Sequence, residues 1–309
     1  MVMRVTELSG GRSRLASSLL AGLVIVGASA ALCFWLTAPS RIFSDSNGLA
    51  AGDPERGRVI FSAAYCSSCH ATPGQADPLQ LGGGLALASG FGTFRVPNIS
   101  TDQTDGIGAW SVADLANALV SGVSPAGQHY YPAFPYTSYT GMKLGDIEDL
   151  YAYLHTLPAV RGKPPPHDLP LLFRVRRAIG VWKLAFFDEE QTLIPHDERG
   201  AYLVETLGHC AECHSSRNFL GALRPDTRFA GGVDPEGTGF VPNITPTRIG
   251  TWTAEDLSKL LKVGLTPDHG RVGSSMADVV INTAGLPQAD RDAIARYVKS
   301  LPGRPTPRP

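Results

Sequence analysis

The chain has 309 residues, of which 43% are hydrophobic and 18% are charged, so it is long enough for two domains with a core in each. Its formal net charge is -1, and this balance excludes the concentrated basic surface that a nucleic-acid partner requires. Four of its five cysteines fall in two short motifs, so no disulfide framework is expected.

The first predicted element is a membrane span near the N-terminus. No charged residue occurs from Leu15 to Ser40, and three arginines precede this stretch. As a helix it would be about 39 Å long, enough to cross a hydrocarbon core of roughly 30 Å. The arginines predict a cytoplasmic N-terminus, with everything after Arg41 on the other side of the membrane.

A cleaved secretory signal is the alternative interpretation of this span. The apolar core of such a signal is typically about 7–15 residues, shorter than the stretch found here. Ala38-Pro39-Ser40 is also a poor cleavage site because of its proline. The sequence therefore favours a retained single-pass anchor within residues 1–45, in the bacterial inner membrane.

Two five-residue motifs of the same form follow, Cys66-Ser67-Ser68-Cys69-His70 and Cys210-Ala211-Glu212-Cys213-His214. In each, two thiols about one helical turn apart can reach both vinyl groups of one haem, and the histidine offers an imidazole to the iron. A lone CxxC is also typical of a redox dithiol or half a zinc site. Two copies, each with its histidine and without a further cysteine nearby, favour haem.

The motifs therefore predict two covalently bound haem c groups. Cys66, Cys69, Cys210 and Cys213 would hold the porphyrins, with His70 and His214 as proximal iron ligands. The carbonyl of Pro97 or Pro242 is a candidate to accept a hydrogen bond from the proximal histidine, and a simple turn proline is the equal alternative. Bacterial haem attachment takes place outside the cytoplasm, which agrees with domains facing the periplasm.

The rest of the chain repeats itself around these motifs. Val96-Pro97-Asn98-Ile99-Ser100 matches Val241-Pro242-Asn243-Ile244-Thr245, and both halves then have a capping-box sequence, Ser111 with Asp114 and Thr253 with Asp256. Each half ends on a helix with i, i+3, i+4, i+7 apolar spacing, stopped by a proline. No long alternating pattern occurs, so the predicted class is all-α, with domains at 46–160 and 197–309.

Residues 161–196 are predicted as a linker. Pro164-Pro165-Pro166 is typical of a stiff, extended spacer. The aromatic and basic segment from Phe173 to Phe187 is interpreted as packing onto the domains, and a docking surface is the alternative. The tail from Pro302 is expected to be flexible.

The sixth ligand of each iron separates an electron carrier from a catalyst. Outside the leader the chain has two methionines, Met142 and Met276, one in each half, and a thioether would raise the potential and close the coordination site. Counting back from the terminal helices, however, the position equivalent to Met276 is Pro132, and His129 lies nearby. Met142 is favoured for the first iron, with Gly141 giving its backbone room, and His129 remains the rival.

Four segments resemble the cytochrome c subunits of bacterial membrane-bound dehydrogenases, the alcohol and gluconate dehydrogenases among them: Val96-Pro97-Asn98-Ile99, the run from Tyr131 to Met142, the run from Arg199 to Glu205, and the run from His209 to His214. The resemblance extends from about Gly52 to Pro302. It implies class I cytochrome c domains, Met142 and Met276 as distal ligands, and electron transfer from a periplasmic dehydrogenase to the respiratory chain. Those subunits usually carry three haems, whereas this chain has two motifs.

The sequence thus predicts a membrane-anchored dihaem cytochrome c that relays single electrons and has no catalytic site of its own. Its donor would be a periplasmic or membrane-bound dehydrogenase, and its acceptor a quinone, a soluble cytochrome or a terminal oxidase. A dihaem redox enzyme, of the peroxidase or thiosulfate-oxidising type, is the alternative function. Such an enzyme needs an open or unusual ligand position, which two methionine ligands would not leave.

Overall fold

The computed structural model describes residues 9–44, 50–187, 198–235 and 239–308, with side chains in the first helix from Ser17 onward. Arg4, in the basic flank of the predicted span, lies outside these ranges, as do the side chains of Arg12 and Arg14. The end of the predicted linker, 188–196, also lies outside the described residues. Below, the first half means residues 50–160 and the second half residues 198–308.

The described part of the chain is mainly helical. Its helices are α1 (Ser9–Leu36), α2 (Pro54–Ala63), α3 (Cys66–His70), α4 (Val112–Ser121), α5 (Tyr136–Tyr139), α6 (Leu144–Leu154), α7 (Ala178–Phe186), α8 (Arg199–Ala201), α9 (Pro246–Ile249), α10 (Ala254–Val263), α11 (Ser275–Ala284) and α12 (Gln288–Ser300). A π-helix, Tyr202–Leu207, continues α8, and 3-10 turns occur at Leu171–Arg174, Cys210–Glu212 and Pro225–Thr227.

Two small antiparallel hairpins interrupt the helices. Strand β1 (Ala86–Ser89) pairs with β2 (Gly92–Arg95), with Ala86 opposite Arg95, and β3 (Gly232–Val233) pairs with β4 (Phe240–Val241). The all-α prediction missed them because strands of two to four residues are too short for an alternating pattern to show. The helical character of the prediction is confirmed.

The N-terminal helix α1 contains the predicted span. Its segment from Ser17 to Leu36 has a mean hydropathy of 2.3 and is not buried against the rest of the chain. The helix is therefore long and apolar enough to cross a membrane, either as an anchor or as part of a signal peptide.

Both predicted capping boxes form. The Asp114 N–H donates to Ser111 Oγ at 3.2 Å, and the Ser111 N–H donates to the Asp114 carboxylate at 3.0 Å. The equivalent distances between Thr253 and Asp256 are 3.0 and 2.8 Å. Reciprocal bonds of this kind satisfy N–H groups that a helix start leaves unpaired, so α4 and α10 begin where the sequence predicted.

A close helix crossing also recurs in the two halves. A Cβ on Gly57 of α2 would overlap the carbonyl oxygen of Asp149 in α6, and a Cβ on Gly200 of α8 would overlap that of Ala293 in α12. The glycines let the backbones touch. In each half, the helix that leads to the attachment motif is thereby fixed against the terminal helix.

The core is one cluster of buried side chains that includes residues of both halves. Direct bonds join the halves at its edge: the Tyr202 hydroxyl donates to the Asp146 carboxylate at 2.6 Å and accepts from the Lys143 N–H at 3.2 Å. Both halves contribute equivalent wall residues: Leu81 and Phe229, Ile107 and Ile249, Leu115 and Leu257, Leu119 and Leu261, Leu150 and Ile294, Leu154 and Val298, Leu157 and Leu301.

The described part of the linker contacts both halves. Thr93 and Asp168 exchange backbone hydrogen bonds at 2.8 and 2.9 Å, and the Trp182 indole donates to the Leu220 carbonyl at 3.0 Å. The C-terminal tail also makes contacts, because the Arg304 guanidinium donates to the Pro225 carbonyl at 2.8 Å. Trp182 therefore packs as interpreted, whereas Phe173 and Phe186 are partly exposed, and the tail is hydrogen-bonded to the second half.

Candidate haem sites

The two attachment motifs have similar local backbones. Cys66–His70 forms the single turn α3, and in the second motif the His214 N–H donates to the Cys210 carbonyl at 3.0 Å. The residue before each first cysteine, Tyr65 or His209, has a positive φ, of 54° and 35° respectively. One helical turn separates the two thiols of each motif, so both thiols lie on the same side of their turn.

The protonation of the first cysteine in each motif argues against a redox dithiol. Burial raises the pKa of Cys66 and that of Cys210 to about 12. A reactive dithiol needs the opposite shift, since the thiolate is the nucleophile. Neutral sulfurs in an apolar setting fit thioether bonds to a haem.

Both motif histidines are held in one tautomer. His70 Nδ1 lies 2.9 Å from the Pro97 carbonyl oxygen, and His214 Nδ1 lies 2.7 Å from that of Pro242. A carbonyl oxygen only accepts, so Nδ1 carries the proton and Nε2 keeps its lone pair. The predicted contact with each proline is therefore confirmed.

The charge state of these rings also suits metal binding. Burial lowers the pKa of His70 to about 4 despite the opposing hydrogen bond to Pro97, and it lowers the pKa of His214 in the same way. Both imidazoles are therefore neutral near pH 7, which is the form that ligates a metal. The carbonyl bond fixes the ring orientation and raises ligand basicity. The residues present fit haem.

A glycine donates a backbone hydrogen bond to each motif histidine. Gly83, at φ 68°, donates its N–H to the His70 carbonyl at 2.9 Å, and a Cβ there would overlap the Pro97 carbonyl. Gly231, at φ 86°, makes the same bond to His214 at 2.8 Å. Only glycine combines this backbone conformation with so close an approach.

Each half places one methionine against its apolar wall. Met142 is buried within the core cluster, and Met276, in the first turn of α11, is partly buried against the same cluster. His129 lies elsewhere: its Nε2 donates to the Thr37 carbonyl at 3.0 Å, at the C-terminal end of α1. Met142 thus lies in the core cluster, whereas the His129 ring is bonded at the end of α1.

Gly141 lies at a contact between the halves. A Cβ at this position would lie 2.6 Å from Thr206 Oγ1, in the π-helix of the second half. Its small size therefore also serves the contact between the halves.

An aromatic cluster joins the two attachment motifs. The His209 ring lies edge-on to Tyr65 at 5.8 Å and to Tyr139 at 5.5 Å, measured between centroids, and the Tyr139 hydroxyl donates to the Ala64 carbonyl at 3.1 Å. Sequence reasoning missed this cluster. The available signal was positional, because Tyr65 and His209 both immediately precede the first cysteine of a motif.

Each attachment motif is also hydrogen-bonded by the opposite half, in what we call the cross-contacts. Asn282, on the same helix as Met276, accepts from Ser67 Oγ at 3.1 Å and donates to Ser68 Oγ at 2.9 Å. In the other direction, Thr137 Oγ1 donates to the Glu212 carboxylate at 2.9 Å. The helix that bears Met276 therefore contacts the first motif, and the segment that leads to Met142 contacts the second motif.

Known proteins are similar to this chain in sequence. A sequence model of the family described as Cytochrome c matches residues 54–158. A protein of Cereibacter sphaeroides described as "Diheme cytochrome c-type" is 49% identical over 293 residues, which are 92% of this chain and 98% of that protein.

Subunits of larger complexes are similar as well. The fructose dehydrogenase cytochrome subunit of Gluconobacter japonicus is 37% identical, over 81% of this chain and 52% of its own length. The gluconate 2-dehydrogenase cytochrome c subunit of Pantoea cypripedii is 33% identical, over 80% of this chain and 59% of its own length. The chain thus spans little more than half of these subunits.

Proposed function

Since the chain belongs to the family of c-type cytochromes, whose covalently bound haem c exchanges single electrons at its iron, we propose that it is a dihaem electron carrier. Its two haems would be held in tandem class I cytochrome c domains, 46–160 and 197–309. The protein residues that hold and orient them are Cys66, Cys69, His70 and Met142 in the first domain, and Cys210, Cys213, His214 and Met276 in the second.

The observation that carries this proposal is the matched pair of histidines. Each is neutral, oriented by a proline carbonyl at 2.9 or 2.7 Å, and left with a bare Nε2 beside two cysteines on one turn. With Met142 and Met276 as the second iron ligands, neither iron would keep a free position for a substrate, which would favour outer-sphere transfer over substrate binding.

Relay between the two sites is supported by their contact. The ring cluster of Tyr65, Tyr139 and His209 lies directly between the two attachment motifs, and the core is continuous across the halves. We infer that an electron entering at one site passes to the other within the same chain.

The donor and the location follow from the relatives and from α1. Two relatives are cytochrome subunits of fructose and gluconate 2-dehydrogenases, so we infer a dehydrogenase as donor. With α1 retained as the anchor, the haem domains would face the periplasm, and the acceptor would be a quinone, a soluble cytochrome or a terminal oxidase of the respiratory chain.

Haem content and potentiometry test the carrier. Full-length protein, matured in a host that attaches haem c, should keep its haem stain on a denaturing gel, contain two haems per polypeptide and be reduced in two one-electron steps. One haem per chain, or haem that denaturation releases, would contradict the proposal.

The donor is tested in membranes of the source bacterium. Adding a sugar, sugar-acid or alcohol substrate should reduce the haems of this chain, and a dehydrogenase should co-purify with it after detergent extraction. Haems that stay oxidised with every such substrate would exclude a dehydrogenase as donor while leaving the carrier assignment intact.

A further inference from the structure

The linker holds a segment whose composition is unlike that of its surroundings. From Leu171 to Phe187 the chain reads LLFRVRRAIGVWKLAFF, with three arginines, one lysine and no acidic residue among apolar side chains. Short segments that combine apolar and basic side chains in this way are typical of the boundary between lipid acyl chains and head groups.

The aliphatic members of this segment are left uncovered. Leu171 is 80% exposed and Leu172 is 76% exposed, and the loop held by Trp182 adds Phe219, at 87%. We call the exposed set the apolar ridge; its members are Leu171, Leu172, Val175, Val181, Leu184 and Phe219. Single exposed apolar residues are common, but a grouped set marks an interaction surface.

The segment is fixed to the C-terminal end of α1. A Cβ on Gly180 would overlap the Thr37 carbonyl oxygen, so α7 crosses that end in backbone contact. The Arg177 guanidinium lies 4.1 Å from the centroid of the Phe34 ring and donates to the Phe34 carbonyl. Phe34 belongs to the last turn of α1, so Arg177 lies at the level where the apolar span ends.

The contact between this segment and the end of α1 indicates which partner covers the apolar ridge. The apolar surface of α1 ends at Leu36, and the ridge continues from the same point on elements that touch Phe34 and Thr37. Arg174 is exposed, and an arginine can extend its charged end to lipid phosphates while its stem stays among apolar groups. A bilayer crossed by α1 would therefore meet the ridge without any further partner.

We propose that the apolar ridge is embedded in the outer face of the membrane that α1 crosses, with the exposed Arg174 at the level of the lipid phosphates. The haem domains are then held at a fixed height and orientation instead of hanging from a flexible stalk. This inference rests on the proposed retention of α1 as an anchor.

Thiol accessibility in pure lipid vesicles tests it. On a Cys33→Ser background, Leu172→Cys and, as a matched control, Ile281→Cys on α11 would be reconstituted as haem-loaded, full-length chains. Ile281 is also highly exposed, at 71%. The rate of modification by a membrane-impermeant maleimide would be measured for both variants. The labelled fraction of Ile281→Cys gives the share of chains that face outward, and the labelling of Leu172→Cys is expressed relative to it.

We expect Leu172→Cys to react at least about tenfold more slowly than Ile281→Cys, because a thiol among lipid acyl chains is shielded from a water-soluble reagent. Because the vesicles contain no other protein, protection there excludes a different partner protein as the cover of the ridge. Equal rates would overturn the proposal, and so would a chain that does not float with the vesicles. Labelling of the Cys33→Ser parent itself would instead reveal cysteines without haem, a failure of the proposed haem attachment.

Discussion

The two attachment motifs are built alike but are held differently by the rest of the chain. In the first, the residues between the cysteines are Ser67 and Ser68, and neutral hydrogen bonds join them to Asn282. In the second they are Ala211 and Glu212, and the Glu212 carboxylate is bonded by Thr137 and paired with Arg217 at 2.6 Å. Burial opposes ionisation of Glu212, yet Arg217 and Thr137 together keep its pKa below the ordinary value.

This difference separates two kinds of residue. Positions that agree between the halves, such as Gly83 with Gly231 and Pro97 with Pro242, orient the histidine within one site. Positions that differ, such as Ser68 and Glu212, contact the opposite half. In this chain, positions that agree therefore serve the fold and the site of each half, and the differing positions within the motifs serve the interface.

Removing one attachment site is expected to have the largest effect. The double variant Cys210→Ala, Cys213→Ala should contain one haem per chain, and Cys66→Ala, Cys69→Ala should contain the other. Because the core is continuous between the halves, each loss should also weaken the remaining half, seen as a lower urea midpoint for the surviving haem absorbance. Two variants with unchanged haem content would show that the motifs do not bind haem.

The distal ligands give the next largest effect. Met142→Ala and Met276→Ala should each halve the far-red charge-transfer band of the ferric protein, lower one of the two potentials and open one iron to carbon monoxide. His129→Ala is the control, because its ring is bonded to Thr37 at the end of α1. A band that survives Met142→Ala but is altered in His129→Ala would reverse the assignment for the first haem.

The sequence predicted what depends on local pattern. The capping boxes of α4 and α10 follow from spacing alone, and the structure contains them. For Pro97 and Pro242 the sequence left a simple turn as an equal alternative to the histidine contact, and the structure shows the contact. The pairing of Asn282 with Ser67 could not be predicted, because their separation along the chain carries no periodic signal. The contact of Gly141 with Thr206 could not be predicted for the same reason, since Thr206 belongs to the other half.

The helix crossings test whether the two halves depend equally on close packing. Gly57→Ala and Gly200→Ala should each destabilise the protein by about 1–3 kcal/mol, because the new methyl group overlaps a backbone carbonyl that cannot move freely. Gly145→Ala in α6 is the control, since a Cβ there meets no atom within 4 Å. The urea midpoint of haem absorbance measures all three; a glycine change tolerated as well as Gly145→Ala would mean that its helices are not in contact.

The cross-contacts should give the smallest and most specific effect. Asn282→Ala removes bonds to Ser67 and Ser68, and Thr137→Val removes the bond to Glu212, so each should cost about 0.5–1.5 kcal/mol. The informative measurement is the potential of each haem, assigned with the cysteine variants. Asn282→Ala should shift the potential of the first haem although Asn282 lies in the second half, and Thr137→Val should shift that of the second.

The neighbour of Asn282 supplies the control for that measurement. Ile281→Ala changes an exposed side chain on the same helix, so it should leave both potentials unchanged. If Asn282→Ala instead shifts only the haem of its own half, the effect comes from α11 and its Met276, and the bond to the first motif does not hold that motif in place. A shift confined to the opposite haem would show that each half sets the environment of its neighbour's cofactor, because no other described bond of the Asn282 side chain reaches the first half.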